Sequence, residues 1–231
     1  MNTGSQNRLA IRTGKPSGKR TVAWFVLTCG AFAIFLPLDS WIATWLDIDN
    51  VSGDVCKAIN LMELFGHGSG ALLILAGVIS LMPERWRDVI RLVFGWGLTG
   101  MTINYIKILV LRFRPAQFYP GFSGDEHSWI GTLYSSSGHE FALQNGRYLT
   151  DSFPSGHSGQ AAVLAVMLSI MYPRGRYFFA ALAVLACLQR VMGHAHWASD
   201  TAAGAAIGIV CGYIAFRFPF PKGFREPQLT E

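Results

Sequence analysis

The chain has 231 residues, of which 51% are hydrophobic and 14% charged, and its formal net charge is +5. That charged fraction is well below the roughly 25% usual in soluble domains. The apolar residues also come in runs longer than a soluble core needs, so an ordinary soluble domain is excluded and a helical membrane protein is expected.

In chain order, residues 1–21 are polar and basic, with Arg8, Arg12, Lys15, Lys19 and Arg20 and no acid. The apolar run that follows is long and has no small-residue cleavage site, so the segment reads as a cytoplasmic tail before an uncleaved span rather than a signal peptide. It needs no nucleic-acid partner, and none is expected. Six segments are expected to cross the bilayer, near 22–38, 61–82, 89–111, 156–172, 177–193 and 199–216. The fourth and sixth are short and rich in Gly and Ala. The run Gly204, Gly208, Gly212 and the pair Gly66, Gly70 suit close helix approach. Residues 116–153 form one long connection, and Phe118, Tyr119, Phe122, Trp129 and Tyr134 suit an interfacial lid. The expected fold is all-α: a polytopic six-helix transmembrane bundle over 22–217, with one long outer-side loop between spans three and four. Residues 218–231 are expected to form a second cytoplasmic tail. Cys29, Cys56, Cys187 and Cys211 show no Cys-x-x-Cys spacing, which points to neither a disulfide framework nor a thiolate metal site.

Orientation follows from the cations. Thirteen of the nineteen Lys and Arg residues fall on one side: the five in the tail, then Arg85, Arg87, Arg91, Arg174, Arg176, Arg217, Lys222 and Arg225. By the positive-inside rule that side is cytoplasmic, and so are both termini. The other six are Lys57, Lys107, Arg112, Arg114, Arg147 and Arg190, and topology does not call for them where they stand.

Three clusters share that opposite edge. Lys107 and Arg114 are seven residues apart, two helical turns, which would place both on one face of span three, with Pro115 stopping the helix. Pro154-Ser155-Gly156-His157 opens span four and presents free N–H groups at the positive end of a helix dipole, an anion site. Arg190, His196 and Asp200 run from span five into span six. Asp200 is spaced to accept a hydrogen bond from one nitrogen of His196, leaving the other as nucleophile or base. Singly these read as snorkelling cations, a helix cap and a capping Asp. Together they gather costly ionisable groups on one membrane face, which is the mark of a functional site. Other residues carry weaker signals. Glu63 and His67 are spaced to pair with each other or to line a headgroup pocket, and Arg112 points off the expected Lys107–Arg114 face and reads as an interfacial anchor. His194-x-His196 lacks a completing carboxylate or Cys, so no metal is expected. His127, His139, Glu140, Arg147 and Asp151 are candidates for headgroup recognition.

The order and spacing of Lys107-x6-Arg114-Pro115, Pro154-Ser155-Gly156-His157 and Arg190-x5-His196-x3-Asp200 resemble the three-part signature of the type 2 phosphatidic acid phosphatase superfamily, over roughly residues 60–216. One departure is Gln189, where the family usually has Ser. The resemblance implies that His196 attacks phosphorus and becomes phosphorylated, that Asp200 orients it, and that His157 protonates the leaving alkoxide. It implies that Lys107, Arg114 and Arg190, with Ser155 and the Gly156 N–H, hold the phosphoryl oxygens. The implied substrate is a phosphorylated membrane lipid: lipid A, an isoprenyl diphosphate, phosphatidylglycerol phosphate or phosphatidic acid. The implied location is a bacterial inner membrane with the site at the periplasmic face. Transfer to an acceptor lipid is the alternative; a transporter is disfavoured because no repeat is visible. Three fixed cations can neutralise the equatorial oxygens as Mg²⁺ does elsewhere, so no cofactor is expected. The two histidines need opposite charge states, His196 neutral and His157 protonated. A pH–rate series should therefore give a bell, and a monotonic curve would contradict this division of roles.

Overall fold

A computed structural model describes residues 18–115, 128–132 and 147–219. Helix α1 (Gly18–Phe35) continues through a short 3-10 turn at Leu36–Leu38 into α2 (Asp39–Trp45). Then come α3 (Gly53–Leu61), α4 (Glu63–Gly66), α5 (Gly68–Leu81) and α6 (Trp86–Leu109). A two-stranded antiparallel ribbon joins β1 (Leu111–Arg112) to β2 (Trp129–Gly131). The chain ends in α7 (Arg147–Thr150), α8 (Gly156–Met171), α9 (Arg176–Met192) and α10 (Ala198–Arg217). Four helical stretches are long and apolar enough to cross a membrane: 18–45, 83–109, 173–192 and 198–217. A fifth results if the α3–α4 and α5 pair is one broken span. The outer faces carry large apolar side chains such as Leu72, Leu81, Met101 and Val184, as lipid-facing helices should.

Three sequence expectations change here. The segment expected as a straight second span, 61–82, is bent by 70° where α4 meets α5. The break falls at His67, which is extended (φ −97°, ψ 148°) and caps α5 by accepting from the Ser69 N–H at 3.2 Å. Gly66 is pressed onto α8, since a Cβ there would lie 2.5 Å from the His157 carbonyl oxygen. Span three stops at Leu109 rather than 111, because Val110 turns extended (φ −133°, ψ 111°) and the chain enters the ribbon. The fold is helical with this one small ribbon rather than purely helical. The long loop lies largely outside the described residues, as do Phe118, Tyr119, Phe122, Tyr134, His127, His139 and Glu140.

Helix α8 is the axis of the bundle. Eleven of its sixteen residues are buried, and it packs against α4, α6, α9 and α10. At about 1.5 Å per residue it is roughly 24 Å long, shorter than the roughly 30 Å hydrocarbon layer. A helix surrounded by protein can be that short, because its irregular approach is buried against neighbours rather than lipid. α10 lies close enough that a Cβ on Gly204 would sit 2.2 Å from the Ser155 carbonyl oxygen, and one on Gly208 2.2 Å from that of Gly159. These glycines are the packing residues the sequence suggested.

α6, α8, α9 and α10 alternate in direction, so the bundle has two chemically different ends. One end holds Arg85, Arg87, Arg91, Arg174, Arg176 and Arg217. There Arg85 donates to the Met171 carbonyl at 2.9 Å, closing the C-terminus of α8 where the dipole favours a cation. The other end holds Lys107, Ser155, His157, Arg190 and Asp200.

A methyl at Gly204 meets backbone rather than a yielding side chain. Gly204→Ala should cost about 1–3 kcal/mol, seen as a lower thermal midpoint in detergent. Gly77→Ala, where a Cβ meets nothing within 4 Å, should show no such loss.

Candidate active site

The three sequence clusters meet because backbone hydrogen bonds stitch them together. The segment after α6 lies beside the approach to α8: Ser152 N–H donates to the Arg112 carbonyl at 3.1 Å, and Arg114 N–H to that of Leu149 at 3.2 Å. Ser155 N–H donates to the Asp200 carbonyl at 3.0 Å, tying the start of α8 to the start of α10. Thr150, Ser152 and Ser155 are fully buried, so this irregular backbone survives at the membrane edge by being satisfied internally.

His196 stands in the turn between α9 and α10, just after His194, whose φ of 51° reverses the chain. It is 3% exposed, and its Nδ1 lies 2.7 Å from the Ser152 carbonyl oxygen. A carbonyl can only accept, so Nδ1 carries the hydrogen and Nε2 keeps its lone pair. The expected hydrogen bond from His196 to Asp200 is not the one made: Asp200 Oδ2 is 4.0 Å from Nδ1. That oxygen instead accepts from Ser152 Oγ at 2.6 Å and from the Trp197 N–H at 3.0 Å. Asp200 therefore acts on His196 through Ser152. Burial lowers the His196 pKa well below its ordinary value, and Lys107, Arg114 and Arg190 push the same way. The ring is thus held neutral, with a bare nitrogen among cations.

Those cations arrive differently from the helical-face expectation. Lys107 is on α6, but Arg114 lies five residues beyond its end, so the two share no helix face. Lys107 Nζ donates to the Asp151 carbonyl at 2.5 Å, and Arg114 to that of Ala195 at 2.9 Å, which fixes both beside His196. Arg190 donates from Nε to Gln189 Oε1 at 2.6 Å, and Gln189 Nε2 donates to Asn60 Oδ1 at 3.1 Å. Gln189 thereby holds the guanidinium from behind. Ser155 caps α8, its Oγ accepting from the Ser158 N–H at 3.4 Å and from the Ser158 hydroxyl at 2.9 Å. A Cβ on Gly156 would meet nothing within 4 Å, so the first turn of α8 is open on that side. His157 is partly exposed beside it.

Glu63 and His67 do not pair with each other. Glu63 reaches His157 Nε2 at 3.4 Å and Arg190 Nη2 at 2.8 Å, while the His67 ring lies 5.6 Å from that of His157. His194 Nε2 is 3.6 Å from Asp47, and among the described residues no group of three or more His, Cys, Asp or Glu gathers as a metal would need.

Arg112 departs furthest from its expected role. It is 2% exposed and anchors nothing at an interface. Its Nη1 meets Asp200 at 2.5 Å and Ser199 Oγ at 2.7 Å, its Nη2 meets Asp39 at 2.7 Å, and its Nε meets Ser128 Oγ at 3.0 Å. The Trp129 ring covers the guanidinium at 4.3 Å and Trp197 at 5.2 Å, so Trp129 serves here rather than as a lid. Asp39 also accepts from the Ser199 hydroxyl and from the Ser199 N–H at 2.9 Å. Sequence reading passed over Asp39, Ser152 and Asn60, and gave Arg112 a different role. The one available signal was Asp39, the first acid in the chain, standing at the end of a charge-free run where a carboxylate needs a partner.

Three cations, an open helix start and a neutral His with a bare nitrogen make a site for a tetrahedral anion with a nucleophile beside it. Residues 88–224 match the family model described as PAP2 superfamily. A lipid A 1-phosphatase from Rhizobium johnstonii is 33% identical over 112 residues, 48% of this chain and 39% of that protein's length. The matched segment thus spans about two fifths of that relative. The crystal structure of Aquifex aeolicus LpxE is similar with a TM-score of 0.58 at 20% identity, covering 80% of this chain and 96% of that one. That of a transmembrane PAP2-type phosphatidylglycerolphosphate phosphatase from Bacillus subtilis has a TM-score of 0.56 at 18% identity, covering 85% and 94%. At these identities the two structures speak for the fold alone.

Removing the guanidinium while leaving its two carboxylates buried should be severe. Arg112→Met should cost about 3–5 kcal/mol, read as a fall in the thermal midpoint in detergent. Arg112→Lys should not recover it, since one ammonium cannot meet acceptors on both sides.

Proposed function

The chain belongs to the PAP2 superfamily, and from that premise we propose that it is an integral-membrane lipid phosphatase working through phosphorylated His196. The observation that carries this reading is the His196 ring itself: Nδ1–H is spent on the Ser152 carbonyl, and Nε2 is bare among Lys107, Arg114 and Arg190.

A lipid phosphate enters between those three cations, with the Ser155 hydroxyl and the Gly156 N–H at the start of α8 holding further oxygens. His196 Nε2 attacks phosphorus, the bond to the lipid oxygen breaks, and His157 gives that oxygen a proton. Water then attacks the phosphohistidine, neutral His157 takes its proton, and inorganic phosphate leaves with His196 restored. Asp200 keeps Ser152 in place to receive Nδ1–H. The cations supply what a divalent ion supplies in other phosphoryl transfers, so the reaction proceeds in chelator.

The substrate is a lipid phosphomonoester or diphosphate. The relative from Rhizobium johnstonii places lipid A 1-phosphate first among the substrates to try. Isoprenyl diphosphate, phosphatidylglycerol phosphate and phosphatidic acid follow. Counting the bent pair and α8 as spans gives six crossings over 22–217, between tails 1–21 and 218–231. The basic end of the bundle faces the cytoplasm and the site faces the periplasm of a bacterial inner membrane.

The test is phosphate release by purified protein in detergent and EDTA from those four lipids, with His196→Ala in parallel. One strong substrate, with release abolished by the substitution, is expected. Release only in the presence of an acceptor lipid would instead establish a transferase. The reactive form of His196 is neutral and its pKa is lowered, so activity should persist through pH 6.5 and fall only well below it. An acid limb at or above 6.5 would contradict the assignment.

A further inference from the structure

Glu63 is out of place in a site for anions. It is the first residue of α4, 36% exposed, within ion-pair distance of both His157 and Arg190. The bend at His67 and the contact of Gly66 with the His157 backbone put it there. The signature motif does not include it, and spacing alone left a local pair with His67 or a place in a headgroup pocket.

We propose that Glu63 is a further positioning residue of this site, its carboxylate holding the His157 ring against Arg190 so that His157 retains the proton it must deliver. The inference rests on the phosphatase reading above. The groups facing His157 are Arg190 from α9, Glu63 from α4, His67 from the bend and Arg114 from the segment after β1. Burial first, then the guanidinium groups of Arg190 and Arg114, oppose a charged ring, and Glu63 is the carboxylate that works against them. A carboxylate at 3.4 Å favours the imidazolium. Proton balance then closes: the imidazolium gives one ring proton to the lipid oxygen as the P–O bond breaks and the His196–phosphorus bond forms. The neutral ring left behind takes a proton from the attacking water.

The same carboxylate competes with phosphate for Arg190. It therefore weakens the hold on anions, which raises KM, while promoting departure of the leaving group, which raises kcat, so its removal should lower both. A residue that merely braces the fold would produce neither.

The experiment compares Glu63→Gln with the parent protein on phosphatidic acid, whose alkoxide leaving group needs a proton, and on p-nitrophenyl phosphate, whose phenolate does not. The expected result has three parts. The kcat falls about tenfold or more on the alkyl substrate and little on the aryl one, as loss of general-acid help requires. The basic limb of the pH profile moves down by about one unit or more. Inhibition by inorganic phosphate tightens roughly tenfold as the competing carboxylate is removed. Equal loss on both substrates, with the limb and the phosphate inhibition unmoved, overturns the proposal. His157→Ala run alongside separates the two levels. If it shows the alkyl-selective loss and Glu63→Gln does not, the Glu63 inference fails and the phosphatase reading stands. If it shows no such selectivity, the acid role of His157 itself is wrong. Should Glu63→Gln not fold, Glu63→Asp, too short to span both partners, is expected to shift all three readouts in the same directions by less.

Discussion

A guanidinium taken out of water must find an acceptor for nearly every N–H, and Arg112 finds them in three other parts of the chain. Asp39 comes from the start of α2, Ser128 from the segment before β2, and Ser199 and Asp200 from the first turn of α10. The two tryptophans close it off from solvent. Leaving any of these groups buried without the others would cost several kcal/mol, so the cluster forms whole or not at all. Everything at this end of the bundle inherits its coordinates from that requirement. Asp200 is fixed by Arg112, Ser152 by Asp200, and the ring of His196 by the Ser152 carbonyl.

This chain of positions explains how the proposed nucleophile can be both buried and ready. The site lies at the edge of the bundle, where a charged imidazole would be expensive and three cations make it more so. The proposed attack needs His196 neutral, and its surroundings favour neutrality. The hydrogen bond from Nδ1 goes to a neutral carbonyl, so the ring is aimed without a carboxylate drawing it toward the charged form. The carboxylate expected to do this through direct contact is one bond further away, and it serves the architecture as well as the ring.

Close helix packing does the remaining work. Gly204 and Gly208 let α10 approach the backbone of α8, and Gly66 lets α4 do the same beside His157. The start of α8 is consequently enclosed by α10 and α4 yet left open at Gly156. Gln189, where the resembled family usually has Ser, spans the distance from Arg190 to Asn60 on α3, so the bent second segment contributes to the site from behind. A straight helix over 61–82 would have placed neither Asn60 nor Glu63 against α9.

Sequence by itself determined the solvent, the mostly helical class and which signature residues gather at one end, because each depends on local chemistry. Apolar runs require lipid, and ionisable residues spaced along a span's end require partners. The signature residues Lys107, Arg114, Ser155, His157, Arg190, His196 and Asp200 all come to one end of the bundle. What tertiary structure decided is which of them touch. The Asp200–His196 spacing of four allowed a hydrogen bond, but the pull of Arg112 on that carboxylate took it elsewhere. The Lys107–Arg114 spacing of seven assumed a helix that β pairing ends at Leu109. Asp39 and Arg112 are 73 residues apart, and Glu63 reaches Arg190 across more than half the chain. No periodicity records such pairs, because their energy comes from mutual exclusion of water, which exists only once the helices have closed around them.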